Sequence, residues 1–356
     1  MSTQNNGRRL LSYGAAVCEA VAQEMALDED VFVMGLDVDD HTSIQGSVRG
    51  LLEKFGPERI FGTPLSEDAM TGVAIGAATA GMRPVHVHIR MDFMMLAMNQ
   101  LINMAAKSHY MYGGTVTVPL VVRSIIGKSW GQGPQHSQAL YSMFAHVPGL
   151  KLATPSNAHD AKGCMIAAIR DNNPVVFTEH RLLYYTEAYV PTEPFEVKPG
   201  KARVCTQGDD ITLVGISNMV IECLRVNELL ADEGITVEVI DPIWLVPLDI
   251  DTIVTSAKRT KRLLIVDNAW KSCGMSAEIL AAVSERSTSE DGIVMARMGF
   301  APTPCPTTPS LEDRFYPNPR TIAAKAFAMV RPDARELQVD REKAQLAYQS
   351  EFKGPF

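Results

Sequence analysis

The stretch EDAMTGVAIGAATAGMRPVHVHIRMDF (67–93) decides the fold. Residues 67–81 form a helix candidate, and the run RPVHVHI (83–89) that follows is rich in strand-forming residues. A helix that leads directly into a short apolar strand is one unit of an alternating α/β chain. Such units build a mostly parallel sheet that helices cover on both faces.

The helix candidate carries small residues at four-residue spacing, at Gly72, Gly76 and Ala80. One helix face is therefore almost without side chains. Glycine costs about 1 kcal/mol in a helix interior, so two glycines on one face indicate that something packs closely there. Two explanations stay open: an ordinary buried helix of a doubly wound domain, or a contact between subunits.

The alternation extends along most of the chain. Strands are predicted over 31–38, 83–89, 117–123, 150–154, 174–180, 211–217, 236–242, 262–268 and 292–299. Helices are predicted over 67–81, 93–108, 158–171, 218–233, 249–257, 274–286 and 319–330. A segment rich in proline and charge, 187–204, interrupts the pattern as interdomain linkers do. We therefore expect two doubly wound α/β domains, 1–186 and 205–330, with a linker over 187–204 and a polar tail over 331–356.

Composition excludes several classes of function. The 356 residues are 46% apolar and carry a net charge of −8, with basic residues scattered rather than in runs, so nucleic-acid binding is not expected. Six separated cysteines without a C-x-x-C pair argue against a zinc site or a redox dithiol. Neither a signal-peptide core nor a membrane-spanning run is present, which favours the cytoplasm.

Three residues stand out as candidates for chemistry. Glu67 opens a helix after a turn where Ser66 can cap, although a first-turn glutamate also simply complements the helix dipole. Phe93 follows a strand end, where an aromatic face can stack on a ligand ring or pack in the core. His136 lies in the polar loop GQGPQHSQ (131–138), where it can serve as acid or base or lie on the surface.

Together these runs resemble one family, the β subunit of the decarboxylating component of 2-oxo acid dehydrogenase complexes (pyruvate, branched-chain and acetoin). The similarity spans most of residues 10–330. In the first half it rests on GLDV (35–38), FGTPLSE (61–67), RPVHVHIRMDF (83–93), NQLINMAAK (99–107), QHSQ (135–138), HVPGLK (146–151) and IRDNNPVV (169–176). In the second half it rests on EGITVEVIDP (233–242), PLDIDTI (247–253), RLLIVDN (262–268) and GMSAEI (274–279).

The resemblance implies a pyrimidine-binding first domain, a transketolase-like C-terminal domain and thiamin diphosphate as cofactor. In that family the glutamate corresponding to Glu67 contacts the aminopyrimidine ring. Leu65 and Leu96 are implied to line that ring, and Phe93 to stack on it. His136 is implied to act on the substrate or on acyl transfer to lipoamide.

The family also implies metals and partners. A structural potassium ion is implied at main-chain carbonyls, those of Leu120, Ala168, Ile169, Asp171 and Asn173. No GDG followed about 30 residues later by Asn, the diphosphate and magnesium motif, occurs in the chain. We therefore expect a separate α subunit to hold the diphosphate and magnesium in an α2β2 heterotetramer, with a lipoyl acyltransferase core as a further possible partner.

The chain departs from the family pattern near the candidate site. Leu36 stands where an acidic residue is usual, and His88 and Arg90 replace small polar or apolar residues. We hypothesise that Arg90, joined by Arg123 or Lys128, binds a carboxylate on a substrate more polar than pyruvate. The alternative is that these cations pair with the α subunit or with solvent.

The expected function is decarboxylation of a 2-oxo acid, with transfer of the acyl or aldehyde unit to an acceptor such as lipoamide. A specialised thiamin-dependent decarboxylase or carboligase subunit is one alternative, and a non-catalytic scaffold of the same fold is another. A single-chain transketolase-like enzyme is disfavoured by the missing GDG motif.

Overall fold

The computed structural model describes residues 9–40, 42, 44–128, 131–339 and 344. Most of the predicted polar tail, residues 340–343 and 345–356, lies outside the described residues. Its described part, 331–339, contains neither helix nor strand.

The chain alternates between short strands and helices. The strands are β1 (Leu10–Ser12), β2 (Val31–Gly35), β3 (Ile60–Gly62), β4 (Arg83–His88), β5 (Val121–Ile126), β6 (Lys151–Ala153), β7 (Val175–His180), β8 (Glu187–Tyr189), β9 (Arg203–Val204), β10 (Ile211–Gly215), β11 (Val237–Asp241), β12 (Trp244–Val246), β13 (Arg262–Trp270) and β14 (Val294–Phe300). The α-helices are α1 (Tyr13–Leu27), α2 (Leu51–Phe55), α3 (Glu67–Thr79), α4 (Met91–Met94), α5 (Ala106–Met111), α6 (Tyr141–Ala145), α7 (Ala158–Arg170), α8 (Met219–Ala231), α9 (Ile250–Thr260), α10 (Met275–Glu285), α11 (Pro309–Phe315) and α12 (Pro319–Val330).

The first half forms a seven-stranded sheet in the order β12-β6-β7-β5-β4-β2-β3. Its strands are parallel apart from β12, which runs antiparallel to β6. Every residue of β2, β5 and β7 is buried, as expected for apolar strands that are covered on both faces. Strand β12 comes from the second half of the chain and was not predicted.

The second half forms a five-stranded sheet in the order β14-β13-β10-β11-β9. The four long strands are parallel, and the short β9 pairs antiparallel with β11. Helices α8 and α12 pack together, with apolar residues of both in the same core cluster as strands β10 and β11. The prediction of two α/β units with mostly parallel sheets is confirmed.

Two local predictions require correction. The strand expected over 117–123 lies at Val121–Ile126, after a segment that contains Pro119, which has no N–H to donate to a sheet. The helix expected over 93–108 is divided into α4, a 3₁₀ turn (Met95–Ala97), a π-helical stretch (Gln100–Ala105) and α5. The expected linker is paired at both ends, because β8 pairs with β1 and β9 pairs with β11.

Helix α3 presents its small-residue face outward. A Cβ atom added at Gly76 would meet no atom within 4 Å, and one added at Gly72 would meet only the Gln100 side chain, at 3.6 Å. Val73 on the same helix is 54% exposed. The explanation as an ordinary buried helix is therefore wrong for this face, which is left open in the single chain. Among the residues described, no helix combines the length and the apolar character that crossing a membrane requires.

Candidate active site

A groove lies where the carboxyl ends of β2, β3 and β4 meet the start of α3. Parallel strands bring their carboxyl ends to one edge of the sheet, where ligand sites of α/β proteins usually lie. The groove is narrow in the single chain, with a cavity volume of about 30 Å³. Its lining residues are Leu36, Thr63, Pro64, Leu65, Ser66, Glu67, Met70, His86, Val87, His88, Ile89 and Phe93. Leu65 and Glu67 of the run FGTPLSE (61–67) are thus brought together with Phe93 of the run RPVHVHIRMDF (83–93).

Glu67 is the first residue of α3 and is half-buried in the groove wall. Ser66 occupies the cap position, but its side chain makes no capping hydrogen bond, so the expectation that it caps the helix is wrong. The position of the Glu67 carboxylate is set by the rigid start of the helix, where the positive end of the helix dipole favours a negative charge.

His136 does not line the groove itself, but it contacts Phe93 at the edge of the groove. Their ring centroids are 5.2 Å apart and the ring planes meet at 84°, an edge-to-face contact. Phe93 keeps 37% of its surface exposed, and the neighbouring Leu65 and Leu96 keep 73% and 63%. Apolar side chains that stay this exposed around a carboxylate offer a surface for a flat ring that has both apolar faces and polar edges.

The loop that carries His136 is fixed from two sides. From the first half, the Arg181 guanidinium donates to the His136 carbonyl at 3.2 Å. From the second half, Thr307 fills the space beside Gly133, where an added Cβ would lie only 2.5 Å from the Thr307 methyl. The Cys305 thiol also contacts the Ser137 carbonyl at 3.7 Å. The second half of the chain therefore helps to place His136.

Asp92 holds the far end of the same loop. One carboxylate oxygen, Oδ1, accepts from the Gln138 side chain at 2.8 Å and from its backbone N–H at 3.3 Å. The other oxygen, Oδ2, is buried without a hydrogen-bond partner among the described residues. Asp92 thus anchors the loop from the start of α4.

The three cations proposed from the sequence occupy different places. Arg90 is 8% exposed at the end of β4 and donates to Gln132 in the His136 loop at 3.2 Å. Arg123 does not line the groove: it is fully buried and makes a two-point ion pair with Glu179, at 2.7 and 2.9 Å. The charge of Arg123 is therefore paired with Glu179 inside the protein, contrary to the expected substrate contact.

Lys128 lies against the second half of the chain rather than in the groove. Its ammonium is 4.8 Å from the centre of the Tyr316 ring. Burial lowers the pKa of Lys128, while Glu312, Glu222 and Asp313 oppose that change. Lys128 therefore lies between the two halves of the chain and does not line the groove.

Two histidines form the floor of the groove. The rings of His86 and His88 are 4.4 Å apart, and His88 Nε2 lies 3.3 Å from the Thr71 hydroxyl. His86 Nδ1 lies 3.4 Å from the Met34 carbonyl, which can only accept, so Nδ1 carries the proton. Burial lowers the pKa of His86 to about 4, and burial together with His86 lowers that of His88. Both rings are neutral at pH 7.

The five residues implied for potassium lie around one turn. The Leu120 carbonyl accepts from Val175, and the Ala168 carbonyl accepts from Asp171. The Arg83 guanidinium donates to the Ile169 and Asp171 carbonyls, at 2.9 and 3.2 Å. Among the described residues, no hydrogen bond reaches the Asn173 carbonyl. Each carbonyl oxygen has a second lone pair, so a cation can still be held, although beside an arginine that already supplies positive charge.

Sequence reasoning missed several residues of the site. Arg181 directly follows strand β7, so the rule that ligand sites gather at strand ends could have found it. Thr307 and Cys305 lie about 170 residues from His136 in the sequence and carry no motif. Only the folded chain shows their contact with the loop.

Comparisons with known proteins agree with this architecture. Residues 10–187 match the transketolase pyrimidine binding domain, and residues 200–322 match the transketolase C-terminal domain. A split-gene transketolase, solved as an inactive β4 tetramer, superposes with a TM-score of 0.74 over 90% of this chain and 99% of its own. At 19% identity that likeness concerns the fold alone. Fold and groove together define a transketolase-like α/β protein.

Two relatives identify the family within this class. The chain is 40% identical over 330 residues to the β subunit of acetoin:2,6-dichlorophenolindophenol oxidoreductase from Cupriavidus necator, covering 89% of this chain and 97% of the relative. It is 41% identical over 310 residues to the mitochondrial pyruvate dehydrogenase E1 component subunit beta-1 of Arabidopsis thaliana, covering 86% and 85%. The chain belongs to the family of β subunits of thiamin-dependent 2-oxo acid dehydrogenase E1 components, as its resemblance indicated.

Proposed function

We propose that this chain is the pyrimidine-activating subunit of an enzyme that decarboxylates a 2-oxo acid and passes the acyl or aldehyde unit to an acceptor such as lipoamide. The observation that carries the proposal is the contact between Phe93 and His136 beside a groove that Glu67 opens. Scaffolding alone would require none of these three side chains.

The groove suits the pyrimidine of thiamin diphosphate. Glu67 provides the carboxylate that hydrogen-bonds a ring nitrogen, and Phe93 provides an aromatic face. Leu65 and Leu96 are exposed apolar side chains that the cofactor would cover. When bound, thiamin diphosphate supplies the carbon nucleophile and holds the electrons that decarboxylation releases. His136, fixed through its carbonyl by Arg181, can move a proton at the substrate oxygen.

The active enzyme needs a second subunit in this proposal. The absent GDG motif leaves the diphosphate and magnesium to an α subunit, in an α2β2 assembly. The open face of α3, with Gly76 and Val73 uncovered, provides a surface on which another subunit can pack closely. Docking on a lipoyl acyltransferase core would follow only if the acceptor is lipoamide.

Three further statements are part of the proposal. A structural potassium ion is held by the carbonyls of Leu120, Ala168, Ile169, Asp171 and Asn173, where its effect would be on stability. The chain divides into a domain over 1–186, a linker over 187–204, a domain over 205–330 and a tail over 331–356. The protein works in the cytoplasm, in keeping with six cysteines that are all free.

The proposal is tested with the chain purified together with its α subunit. Glu67→Gln keeps the size and hydrogen-bonding reach of the side chain but removes its charge. We expect turnover of the 2-oxo acid to fall by about 10²- to 10⁴-fold, while His136→Ala lowers it by about 10²-fold or more. Steady-state decarboxylation rates measure both effects.

The matched control is Glu58→Gln, which removes an exposed charge outside the groove. Size-exclusion chromatography must show that all variants still assemble with the α subunit, and quenching of intrinsic fluorescence must show that the wild-type assembly binds thiamin diphosphate. Full activity of Glu67→Gln, or an assembly that does not bind the cofactor, would overturn the proposal.

A further inference from the structure

We propose that Arg90 binds a second anionic group on the substrate, a carboxylate separate from the 2-oxo acid function, and that Arg181 is the positioning residue behind it. The substrate class is therefore a dicarboxylic 2-oxo acid. This inference rests on the proposed function, because it assigns a substrate to the same groove.

Arg90 follows Ile89, which lines the groove, and its side chain reaches the His136 loop. Arg90 lies three residues before Phe93 at the start of α4. Its Nη1 donates to the Ile89 carbonyl at 2.7 Å, and its Nε donates to the Gln132 side chain at 3.2 Å. Both acceptors are neutral, and the structure gives Nη2 no acceptor among the residues it describes.

A guanidinium that is 8% exposed is costly to bury without a carboxylate. Within the described part of the chain, no carboxylate forms an ion pair with Arg90. The nearby Asp92 binds Gln138 through its Oδ1, and its Oδ2 forms no hydrogen bond with Arg90 or with any other described residue. Burial lowers the pKa of the Arg90 guanidinium, and Tyr184 and the Asp92 carboxylate oppose this change without cancelling it. An anion arriving at Nη2 would remove this cost.

Arg181 adds a second positive charge behind the loop, and this charge strengthens the preference for an anion. It is fully buried, so it does not reach a ligand itself, but it donates to the His136 carbonyl at 3.2 Å. Burial, and then the charge of Arg90, lower the pKa of Arg181 to about 9. Two cations therefore hold the same short loop, with Arg90 nearer the groove.

The third arginine of this region, Arg123, has an ion-paired carboxylate, although its Nη1 is buried without a hydrogen-bond partner among the described residues. Arg123 has a two-point ion pair with Glu179, and the hydroxyls of Ser47 and Tyr184 complete the network. Arg90 has no such network, although a planar guanidinium fits a carboxylate equally well in both places. Its position beside Phe93 and His136 favours a carboxylate of the substrate over a carboxylate of the α subunit.

The test compares two substrates of one chain length, 2-oxopentanedioate and 2-oxopentanoate, which differ in the terminal carboxylate. The protein is the assembled enzyme with thiamin diphosphate and magnesium. We expect wild type to prefer the dianion, and Arg90→Gln to lower kcat/KM for it by about 10- to 100-fold with little change for the monoanion. Arg90→Lys should retain part of the preference, and Arg320→Gln, an exposed arginine on α12, is the matched control.

Inhibition by glutarate and by pentanoate gives a second measurement that does not depend on turnover. Glutarate should bind wild type more tightly, and Arg90→Gln should abolish that difference. Equal affinity for the two acids in wild type, or equal losses for both substrates in Arg90→Gln, overturns the inference. Failure of Arg90→Gln to assemble, with substrate preference unchanged in Arg90→Lys, assigns the arginine to the α subunit instead. An assembly that does not bind thiamin diphosphate would fail the proposed function itself, which separates the two tests.

Discussion

The groove has two walls that are built in opposite ways. The helix wall, formed by α3 and the exposed side chains Leu65 and Leu96, has little of the chain packed on its outer side. The loop wall, residues 131–138, borders the groove only through the contact of His136 with Phe93, and it is held by Arg181 in the first half and by Thr307 in the second. The helix wall is left for another molecule to complete, whereas the chain completes the loop wall itself.

This difference predicts two kinds of mutational effect, one visible in the chain alone and one visible after assembly. Changes in the loop wall should alter the chain on its own, because their contacts are already made within it. Changes in the helix wall should be visible mainly after assembly, because their contacts are still missing. Three predictions test this distinction, from the largest expected effect to the smallest.

The largest effect is expected for Gly133→Ala in the loop wall. Gly133 has φ of +70°, and an added Cβ would lie 2.5 Å from the Thr307 methyl. The left-handed backbone costs an alanine about 1–2 kcal/mol, and overpacking adds about 1–3 kcal/mol. Urea unfolding of the isolated chain should show this loss of unfolding free energy, and kcat of the assembly should fall as His136 is displaced.

The double variant Gly133→Ala with Thr307→Ser is the matched control for that result. Serine removes the methyl group that the new Cβ would meet, while the backbone cost stays. Stability should therefore return in part. If the double variant is no more stable than Gly133→Ala, Thr307 does not shape the loop.

The second effect concerns the groove floor, which is buried like the loop wall. His86 has an ordinary pKa of 6.5 that burial lowers to about 4 in the folded chain. Between these values the unfolded chain binds the proton and the folded chain does not. Stability is therefore complete above pH 6.5 and falls as the pH drops to about 4, by about 3 kcal/mol from His86 alone.

Unfolding free energy measured across that range should show a shallower decline in His86→Leu than in wild type. The decline will not vanish, because burial also lowers the pKa of the neighbouring His88. The exposed His109, replaced by Gln, serves as the control and should leave the profile unchanged. Parallel profiles for His86→Leu and wild type would show that the floor is solvated rather than closed.

The smallest effect is expected for Gly76→Ala in the helix wall. No atom lies within 4 Å of the added Cβ, so the isolated chain should gain up to about 1 kcal/mol from the better helix former. The same methyl group should weaken assembly, because the face has to pack closely against another subunit. Sedimentation with the α subunit measures this. Unchanged assembly would show that this face is not a packing surface.

Local patterns predicted the fold well where one residue type dominates a short segment. Apolar runs such as VFVMG at 31–35 and VVF at 175–177 predicted buried parallel strands, because a strand covered on both faces is rich in apolar side chains. Glu67 and Phe93 followed from their places at a helix start and a strand end. Such positions are set by chain order, so sequence alone could place both residues at the same edge of the sheet.

Contacts between distant segments could not be predicted in this way. The sequence favours Arg123 as a free cation because it does not show that Glu179 lies on the adjacent strand, two residues beyond the register partner of Arg123. Thr307 carries no chemical signal, and its importance comes only from filling the space beside Gly133. The short strand β12 has no clear alternation, and its partner β6 lies about 90 residues earlier.

Strand β12 also determines how the molecule is divided. It belongs by chain order to the second half, yet it covers the edge of the first sheet, where Trp244 is fully buried and donates its indole N–H to the Val197 carbonyl at 3.0 Å. A first half expressed without it would expose β6 as an unpaired edge, the kind of surface through which sheets aggregate. The two halves therefore share one cooperative unit of stability, although the sequence divides them into two recurring modules.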